Sequence, residues 1–519
     1  MNKFLLILLA VVLVFSTFIK LQAVNNYNFP FTTDQGRDMV DIRQMVVSHS
    51  PRLVGPTTSI NGVLLGPFWY YFLLPPFLLS GGNPQAIVYW QIFWYQVSAL
   101  VLWYILKNKN NLFATIIAVL YLLMPMGFNT GRYFWNANAM PIFTGLFFAC
   151  LIWTLEKLSP KRLMVLGILA GLSMQIEAAF GILFFPFALL FLIQEKKSLK
   201  KLFWLTVGFF ATLLPQVVFE LRHNFIMTKI LLSEFTGKGE MLGSKISFLE
   251  RINQRYDTAL SLIGFSSHLP PVWVKSIFVL GLAILIISFL LKTVPGKLFS
   301  FYKLIFSFIV FAATFYVLFP QTLKSWYTLG MSVAFVSVLS IAIFTLIKSN
   351  TKLLQFLGVY LLLMTCFYSA KSQLDYLNHV AFLPSDDRSN MRNELADINW
   401  VYGQAKGEGF NAYSYLPSVY DFPYHYLYWW YGTKQYGYQP TDVAYLPNMP
   451  EYIKDNNLIW TKKKDLGVNN LTFLIIEKDH DHPDRESGWL GNFSKLCVLN
   501  ETNFYWTARG KMLTANCPK

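Results

Sequence analysis

Charge is scarce in this chain of 519 residues: only 14% are charged, where a soluble domain carries about a quarter. That shortage excludes an ordinary soluble protein. Cysteine is nearly absent as well, with Cys150, Cys366, Cys497 and Cys517 the only four. No pair has the C-x-x-C spacing of zinc or thioredoxin chemistry. Histidines are few, and His49, His223 and His268 are scattered without ligand spacing. No metal site is therefore indicated, although the acids leave room for a divalent cation. The net charge of +15 comes from short basic clusters between apolar runs, and no nucleic-acid-binding motif accompanies it.

What the chain has is apolar length. It is 54% hydrophobic and 17% aromatic, with a mean hydropathy of +0.41. Segments of spanning length fall at 4–24, 85–106, 112–127, 138–155, 163–178, 179–194, 202–221, 272–292, 303–320, 326–347 and 353–370. The first begins after Lys3 and reads as an uncleaved helix, because Leu21-Gln-Ala is a poor cleavage site. A further piece, 64–80, is short and interrupted by Pro67, Pro75 and Pro76. Treating it as re-entrant or juxtamembrane puts Lys107, Lys109, Lys157, Lys161, Arg162, Lys196, Lys197, Lys200, Lys201, Lys292, Lys297, Lys303, Lys348 and Lys352 on one side. The positive-inside rule makes that side the cytoplasm. The expectation is an all-α polytopic domain of about eleven transmembrane helices over 1–370. Its long outer loops are 25–84, with juxtamembrane helices, and 223–271. The N-terminus is inside, at the plasma (inner) membrane of a prokaryote. Within 223–271, Lys229–Glu234 and Phe248–Leu262 read as helices, with Gly237, Gly239 and Gly243 as a mobile stretch.

After residue 370 the composition turns polar. Residues 371–519 read as an extracytoplasmic α/β domain. A helix is expected over 390–405 and strands over 410–416, 471–476, 495–500 and 503–508. Cys150 and Cys366 sit in apolar runs as core residues. Cys497 and Cys517 would face an oxidising compartment and form a candidate disulfide. The run from Tyr413 to Tyr431 is rich in rings. They could stack on sugar faces, pack a core, or rest on lipid headgroups.

No span carries an ionisable side chain near its middle, which speaks against an ion-coupled transporter. Charges gather instead at the outer ends. Directly after the first span comes Phe31-Thr-Thr-Asp34-Gln-Gly-Arg37-Asp38-Met-Val-Asp41-Ile-Arg43-Gln-Met45. Thr32 or Thr33 can cap a helix here. Met39, Ile42, Met45 and Val46 share an apolar stripe, and Asp34, Asp38 and Asp41 a polar one. This reads as an amphipathic helix lying in the membrane surface. Its acids either mark a site or simply cap the helix. Arg132 lies in the loop 128–137, Lys324 in the turn 321–325, and Glu177, Glu220 and Arg222 at outer helix ends. For these too a structural alternative stands: an interfacial snorkelling arginine, an acid at a turn bonded to the next helix, and a Glu220–Arg222 ion pair.

Three outer pieces converge in order: Asp34-Gln-Gly-Arg-Asp38; Val54-Gly-Pro-Thr-Thr-Ser59 with Leu65-Gly66-Pro67-Phe-Trp-Tyr70-Tyr71; and Gly131-Arg132-Tyr-Phe-Trp135-Asn136-Ala-Asn138-Ala-Met-Pro141. This order resembles the GT-C membrane glycosyltransferases, in the branch of dolichyl-phosphate-mannose protein mannosyltransferases and 4-amino-4-deoxy-L-arabinose lipid A transferases. The resemblance covers roughly 1–370. It implies that Asp34 is the catalytic acid residue, that Arg132 engages the lipid phosphate, and that Gly66-Pro67 belongs to the aromatic segment of the first outer loop. Trp326-Tyr327 resembles a His-Tyr element at a late helix start, without its histidine. Two departures stand out. Gln35 replaces the second acid that often follows the first, and Leu65 replaces the basic residue before Gly66-Pro67.

The chemistry points the same way. Transfer of a sugar from a polyprenyl phosphate to a hydroxyl needs a base, for which Asp34 is the choice. The leaving phosphate needs cations: Arg132 first, then Arg37, Arg222 and Lys324. Asp38, Gly66, Pro67, Tyr70, Asn136, Asn138, Glu177, Trp326 and Tyr327 are candidate substrate contacts. Direct attack would invert the anomeric centre. The expected partners are a polyprenyl-phosphate-linked sugar donor, a lipid, glycan or protein acceptor, and membrane lipids. The competing readings are a transporter or flippase of a lipid-linked sugar and a non-catalytic glycan-assembly component.

Overall fold

The computed structural model describes residues 3–195, 199–236, 246–266, 271–290, 296–447, 471–505 and 508–517. Lys196, Lys197, Gly237, Gly239, Gly243, His268 and Lys292 lie outside the described residues. Two compact units are present. The first comprises Met1–Leu21, Leu53–Phe72 and Tyr89–Tyr376; the second comprises Gln22–Arg52, Leu73–Val88 and Leu377–Lys519. The division expected at 370 and 371 falls inside one continuous helix, Lys352–Tyr376.

Each segment expected to span contains a helix. Six are long and apolar enough to cross a membrane: Lys3–Ala23, Pro84–Lys107, Asn136–Glu156, Lys200–Arg222, Phe299–Leu318 and Lys352–Ala381. The segment 112–127 is not one straight helix. Asn111–Leu123 and Pro125–Arg132 meet at a 46° bend, and the pair counts as a seventh span if taken together. Phe68–Ser80 has 13 residues, about 20 Å at 1.5 Å per residue, too short to cross about 30 Å of hydrocarbon alone. Inside the first unit, Pro160–Ile176 and Leu199–Arg222 approach backbone to backbone. A Cβ at Gly167 would lie 2.1 Å from the Leu205 carbonyl oxygen, and one at Gly208 2.3 Å from that of Met164. Small residues at such a seam let apolar helices gain close packing where the hydrophobic effect offers little.

The second unit is built on a five-stranded sheet: β1 Phe410–Tyr415, β2 Val443–Ala444, β3 Leu471–Glu477, β4 Cys497–Asn503 and β5 Ala508–Thr514. Its order is β2-β1-β3-β5-β4. β1 runs parallel to β2 and β3, and β5 antiparallel to β3 and β4. Both faces are covered. Trp400 of the helix Met391–Ala405 packs on Phe473, while Trp489 and Phe493 close over Tyr413, Tyr415, Leu474 and Ile476. That explains the unbroken apolar run Phe473-Leu-Ile-Ile476. The strand expected at 503–508 is corrected to Ala508–Thr514. Pairing with buried β3, from Glu477 opposite Ala508 to Leu471 opposite Thr514, sets the register. The local richness in aromatics around Phe504 does not. Cys497 and Cys517 form a disulfide with Cα atoms 5.4 Å apart, tying edge strand β4 to the chain end after β5.

The aromatic run is largely interior, so of the three alternatives core packing holds for most of its rings. Tyr424, Tyr426, Tyr428, Trp429 and Trp430 are all buried. Rings this large stabilise by burial when their hydroxyls find partners. Tyr413 donates to Asp442 at 2.6 Å, Tyr415 to Asp479 at 2.7 Å and Tyr424 to Asp397 at 2.8 Å.

The same interior holds Glu394 and Glu477, both almost fully buried. Burial, then the neighbouring Glu477, Asp397 and Asp387, holds the Glu394 carboxyl well above its ordinary range. Burial pushes Glu477 up to about 7, against the opposing pull of Arg388. The folded unit thus favours the protonated acids. The stability these two acids contribute is fully present below the ordinary carboxyl pKa of about 4.3 and is lost as pH rises through their raised folded values. We expect Glu394→Gln to raise the thermal midpoint at pH 8 more than at pH 5. Melting curves across that range check this, and an unchanged pH slope would contradict it.

Candidate functional site

The acidic helix is Thr33–Val47, capped by Thr32. Gln35 supplies the reciprocal half of the cap. Its Oε1 accepts the Thr32 N–H at 3.0 Å and the Thr32 hydroxyl at 2.6 Å. The residue standing where the resembling branch has a second acid is thus fully buried and structural here. Arg37 lies between two carboxylates. Its Nη1 reaches Asp34 Oδ1 at 2.9 Å, while Nη2 and Nε reach Asp38 Oδ1 at 2.9 and 3.1 Å. Asp38 is fully buried, but the Asp34 side chain keeps 39% of its exposure. Asp34 is therefore the acid of this pair that a substrate can reach. Asp41 pairs instead with Arg52 at 2.7 Å.

The expected surface-lying helix is corrected. Both its apolar positions Met39, Ile42 and Met45 and its polar positions Gln35, Asp38 and Arg43 are buried. The reason is Gly36. A Cβ there would stand 2.4 Å from the Pro423 nitrogen and 2.6 Å from the Phe422 carbonyl carbon. Only a glycine lets the helix Phe422–Leu427 sit this close. Arg43 then lies 5.2 Å over the Trp429 ring and 3.4 Å from His425 Nδ1. Burial, then Arg43, holds the His425 imidazole well below its usual value.

In the first unit, Arg132 ends the short helix Pro125–Arg132. That helix exists because the preceding one breaks. Pro125 has no N–H, and Met124 before it is extended, with ψ 146°. The carbonyls of Tyr121, Leu122 and Leu123 lose their helical donors. Side chains from other helices replace them: Tyr95 at 2.6 Å on Tyr121, Ser16 at 2.7 Å and Lys20 at 3.0 Å on Leu122, and Gln373 on Leu123. Gln91 serves the far end, bonding the carbonyls of Thr130 and Tyr133. The Arg132 guanidinium stacks between Phe128 at 4.5 Å and Tyr376 at 4.0 Å. Its polar contacts are the Phe128 carbonyl at 3.3 Å, Asn129 Oδ1 at 3.1 Å and the Tyr376 hydroxyl.

A second cluster forms in the same unit. Asn136 Nδ2 donates to the Ile176 carbonyl at 2.8 Å and to Glu177 Oε2 at 3.4 Å. Glu177 Oε1 accepts the Ala179 N–H at 3.3 Å. The Tyr316 hydroxyl bridges to the carbonyls of Ala179 and Tyr327, 3.1 Å each. Trp135 lies 5.8 Å from Trp326, and the Tyr327 hydroxyl meets that of Ser59. Gly66 packs on Gln175, whose Oε1 accepts the Phe68 N–H at 3.1 Å. Four distant segments thus meet around Glu177. Among the described residues neither Arg132 nor Glu177 enters an ion pair.

Other candidates are not brought in. Asn138 donates to the Tyr133 carbonyl at 3.0 Å, and Tyr70 is buried. Pro67 immediately precedes the helix Phe68–Ser80. Lys324 is exposed, with its Nζ 5.1 Å over the Trp326 ring. The expected Glu220–Arg222 pair is corrected. Residues two apart on a helix do not face each other. Glu220 instead accepts the N–H groups of Met227 and Thr228 at 3.0 and 2.9 Å, and Arg222 is exposed. Sequence reasoning also missed Arg251 and Arg255 on the helix Phe248–Ser266. They bond the carbonyls of Val317, at 3.1 Å, and of Tyr316 and Gln321, at 3.1 and 2.7 Å. Their four-residue spacing was the available signal. We expect Gly36→Ala to displace the acidic helix or destabilise the second unit by about 2 kcal/mol or more, since backbone cannot yield to the added methyl. Limited proteolysis and melting of the purified variant measure this, and wild-type behaviour would contradict it.

The profile of the dolichyl-phosphate-mannose-protein mannosyltransferase family matches residues 66–219, which include the Gly-Pro segment, Arg132 and Glu177. No curated protein matches in sequence. A crystal structure of ArnT from Cupriavidus metallidurans bound to undecaprenyl phosphate is similar over 100% of both chains, with 11% identity and a TM-score of 0.58. An oligosaccharyltransferase from Archaeoglobus fulgidus, in complex with zinc and sulfate, aligns with 76% of this chain and 55% of its own, with 14% identity. Its TM-score of 0.45 carries no argument. The profile covers part of the chain, and the whole-chain likeness shows its fold to be of the GT-C type, in a multi-pass membrane protein with a small C-terminal sheet domain.

Proposed function

We propose that the chain transfers a sugar from a polyprenyl-phosphate donor to an acceptor hydroxyl at the outer membrane face, in one inverting displacement. The observation that carries this reading is Arg132. A cation delivered to the end of a broken helix meets rings, a carbonyl, an amide oxygen and the Tyr376 hydroxyl, and enters no ion pair among the described residues. Such a group suits the phosphate that leaves with the lipid. The similar ArnT structure holds undecaprenyl phosphate, which supports a carrier of that kind.

Asp34 is the proposed base. Its carboxylate is partly exposed, and Arg37 holds it in place from the buried Asp38. It takes the acceptor proton as the hydroxyl oxygen attacks the anomeric carbon. Arg37 could meet a phosphate only by giving up Asp34 at Nη1, so it serves better as a clamp, with Arg222 and Lys324 as outer cations. The Cys497–Cys517 disulfide fits an extracytoplasmic C-terminal unit at the plasma (inner) membrane of a prokaryote.

With a sugar-charged undecaprenyl phosphate as donor, Asp34→Asn should lower transfer about a hundredfold or more while leaving donor binding in place. Arg132→Ala should weaken binding of undecaprenyl phosphate itself. Wild-type turnover by the first variant would remove the base assignment. Unchanged lipid-phosphate affinity in the second would remove the cation assignment.

A further inference from the structure

Glu177 is a buried acid that no step above uses. Both of its acceptor contacts are long, 3.3 Å from the Ala179 N–H and 3.4 Å from Asn136. A carboxylate offers about four lone-pair directions, so at least two remain available. Around it the unit places rings that are only partly buried: Trp135, Trp326 and Tyr327. The Ser59 hydroxyl, on an exposed residue, meets that of Tyr327.

The arrangement is also fixed in place. Tyr316 locks the turn after Glu177 to the Tyr327 segment through two 3.1 Å bonds. A Cβ at Gly330 would stand 2.1 Å from the Phe180 ring, so the two segments could not approach if that residue were larger. Rigid support of this kind reduces the ordering cost of binding.

An acid that enters no ion pair among the described residues, near aromatic rings and with hydroxyl and amide groups at hand, is poorly made for an anion, because its own charge repels one. It is well made for a ring that carries several hydroxyl donors on its rim and C–H groups on its face. We infer that Glu177, Asn136 and the indoles of Trp135 and Trp326 form a subsite for a neutral pyranose. Glu177 and Asn136 bond its hydroxyls, and an indole covers its apolar face. The inference rests on the glycosyltransferase reading and adds the place where this chain recognises sugar. The ring could belong to the donor or to an acceptor glycan, and the experiment separates the two.

The test uses the full chain in lipid nanodiscs, with methyl glucoside, mannoside and galactoside as probes in saturation-transfer NMR and undecaprenyl phosphate as a separate ligand. At least one methyl pyranoside should bind the wild type. Glu177→Gln keeps an acceptor for the Ala179 N–H, so the turn should persist. Losing a charged hydrogen-bond partner should nevertheless weaken the pyranoside by about tenfold. Trp326→Leu should weaken it too, and undecaprenyl phosphate should bind both variants as it binds the wild type. Competition between the bound pyranoside and a sugar-charged undecaprenyl phosphate places the donor sugar in the subsite. Simultaneous binding places the acceptor there, and either result upholds the inference. It is overturned if no pyranoside binds the wild type, or if Glu177→Gln binds it unchanged, because an acid that merely capped the turn would tolerate the amide. Failure of undecaprenyl phosphate to bind the wild type would instead count against the polyprenyl-phosphate reading.

Discussion

Three carbonyl oxygens decide the shape of the first unit. The break at Met124-Pro125 strips Tyr121, Leu122 and Leu123 of their helical partners, in a segment buried away from solvent. An unpaired carbonyl in hydrocarbon costs several kcal/mol, so the bend survives only if donors arrive from elsewhere. They come from three other helices, through Tyr95, Ser16 with Lys20, and Gln373. Tyr95 is further fixed by stacking on Tyr121 at 4.9 Å and by Gly127, where a Cβ would fall 2.1 Å from its ring. The polar side chains inside this bundle therefore hold a backbone distortion rather than line a path for ions. The distortion in turn aims the chain that carries Arg132.

The second unit relies on a different device. Its acidic helix is seated by the absence of a side chain at Gly36, and its start is tied by a cap made with an amide instead of an acid. Burial on several faces leaves Asp34 the accessible carboxylate of the Arg37 pair. A helix lying free in an interface would let its first turn fray. This one keeps its first turn ordered, which a base must have if it is to take a proton at a set distance.

The sequence showed most of this where one residue acts through its immediate neighbours. Thr32 to Met45 has helical period and a cap, and the helix is Thr33–Val47. Phe410 to Leu416 and Leu471 to Ile476 alternate or run apolar, and both are strands. What stayed hidden depends on partners far along the chain. The role of Lys20 has no local signal, because its acceptor, the Leu122 carbonyl, is 102 residues away. Glu220 looked paired with Arg222, because the N–H groups that claim it belong to the next helix. The last strand was misplaced because its register is set by β3. Even so, Pro125 inside an apolar run already implied orphaned carbonyls. Ser16 and Gln373, polar residues in otherwise apolar helices, are the kind of donor such carbonyls need.

The two charges assigned to the reaction share one electrostatic logic. Asp34 lies in the first turn of its helix, where unpaired N–H groups make the end positive. Arg132 lies in the last turn of its helix, where unpaired carbonyls make the end negative. Each helix thus favours the sign of the side chain it presents. For the carboxylate this allows Arg37 to act as a positional clamp rather than its sole source of stabilisation. For the guanidinium it means that rings and neutral oxygens suffice as neighbours among the described residues. A cation fully satisfied by a carboxylate would have to break that bond before meeting a phosphate. Held by dipole, rings and neutral oxygens instead, Arg132 would take up an anion without first losing one, as the role proposed for it requires.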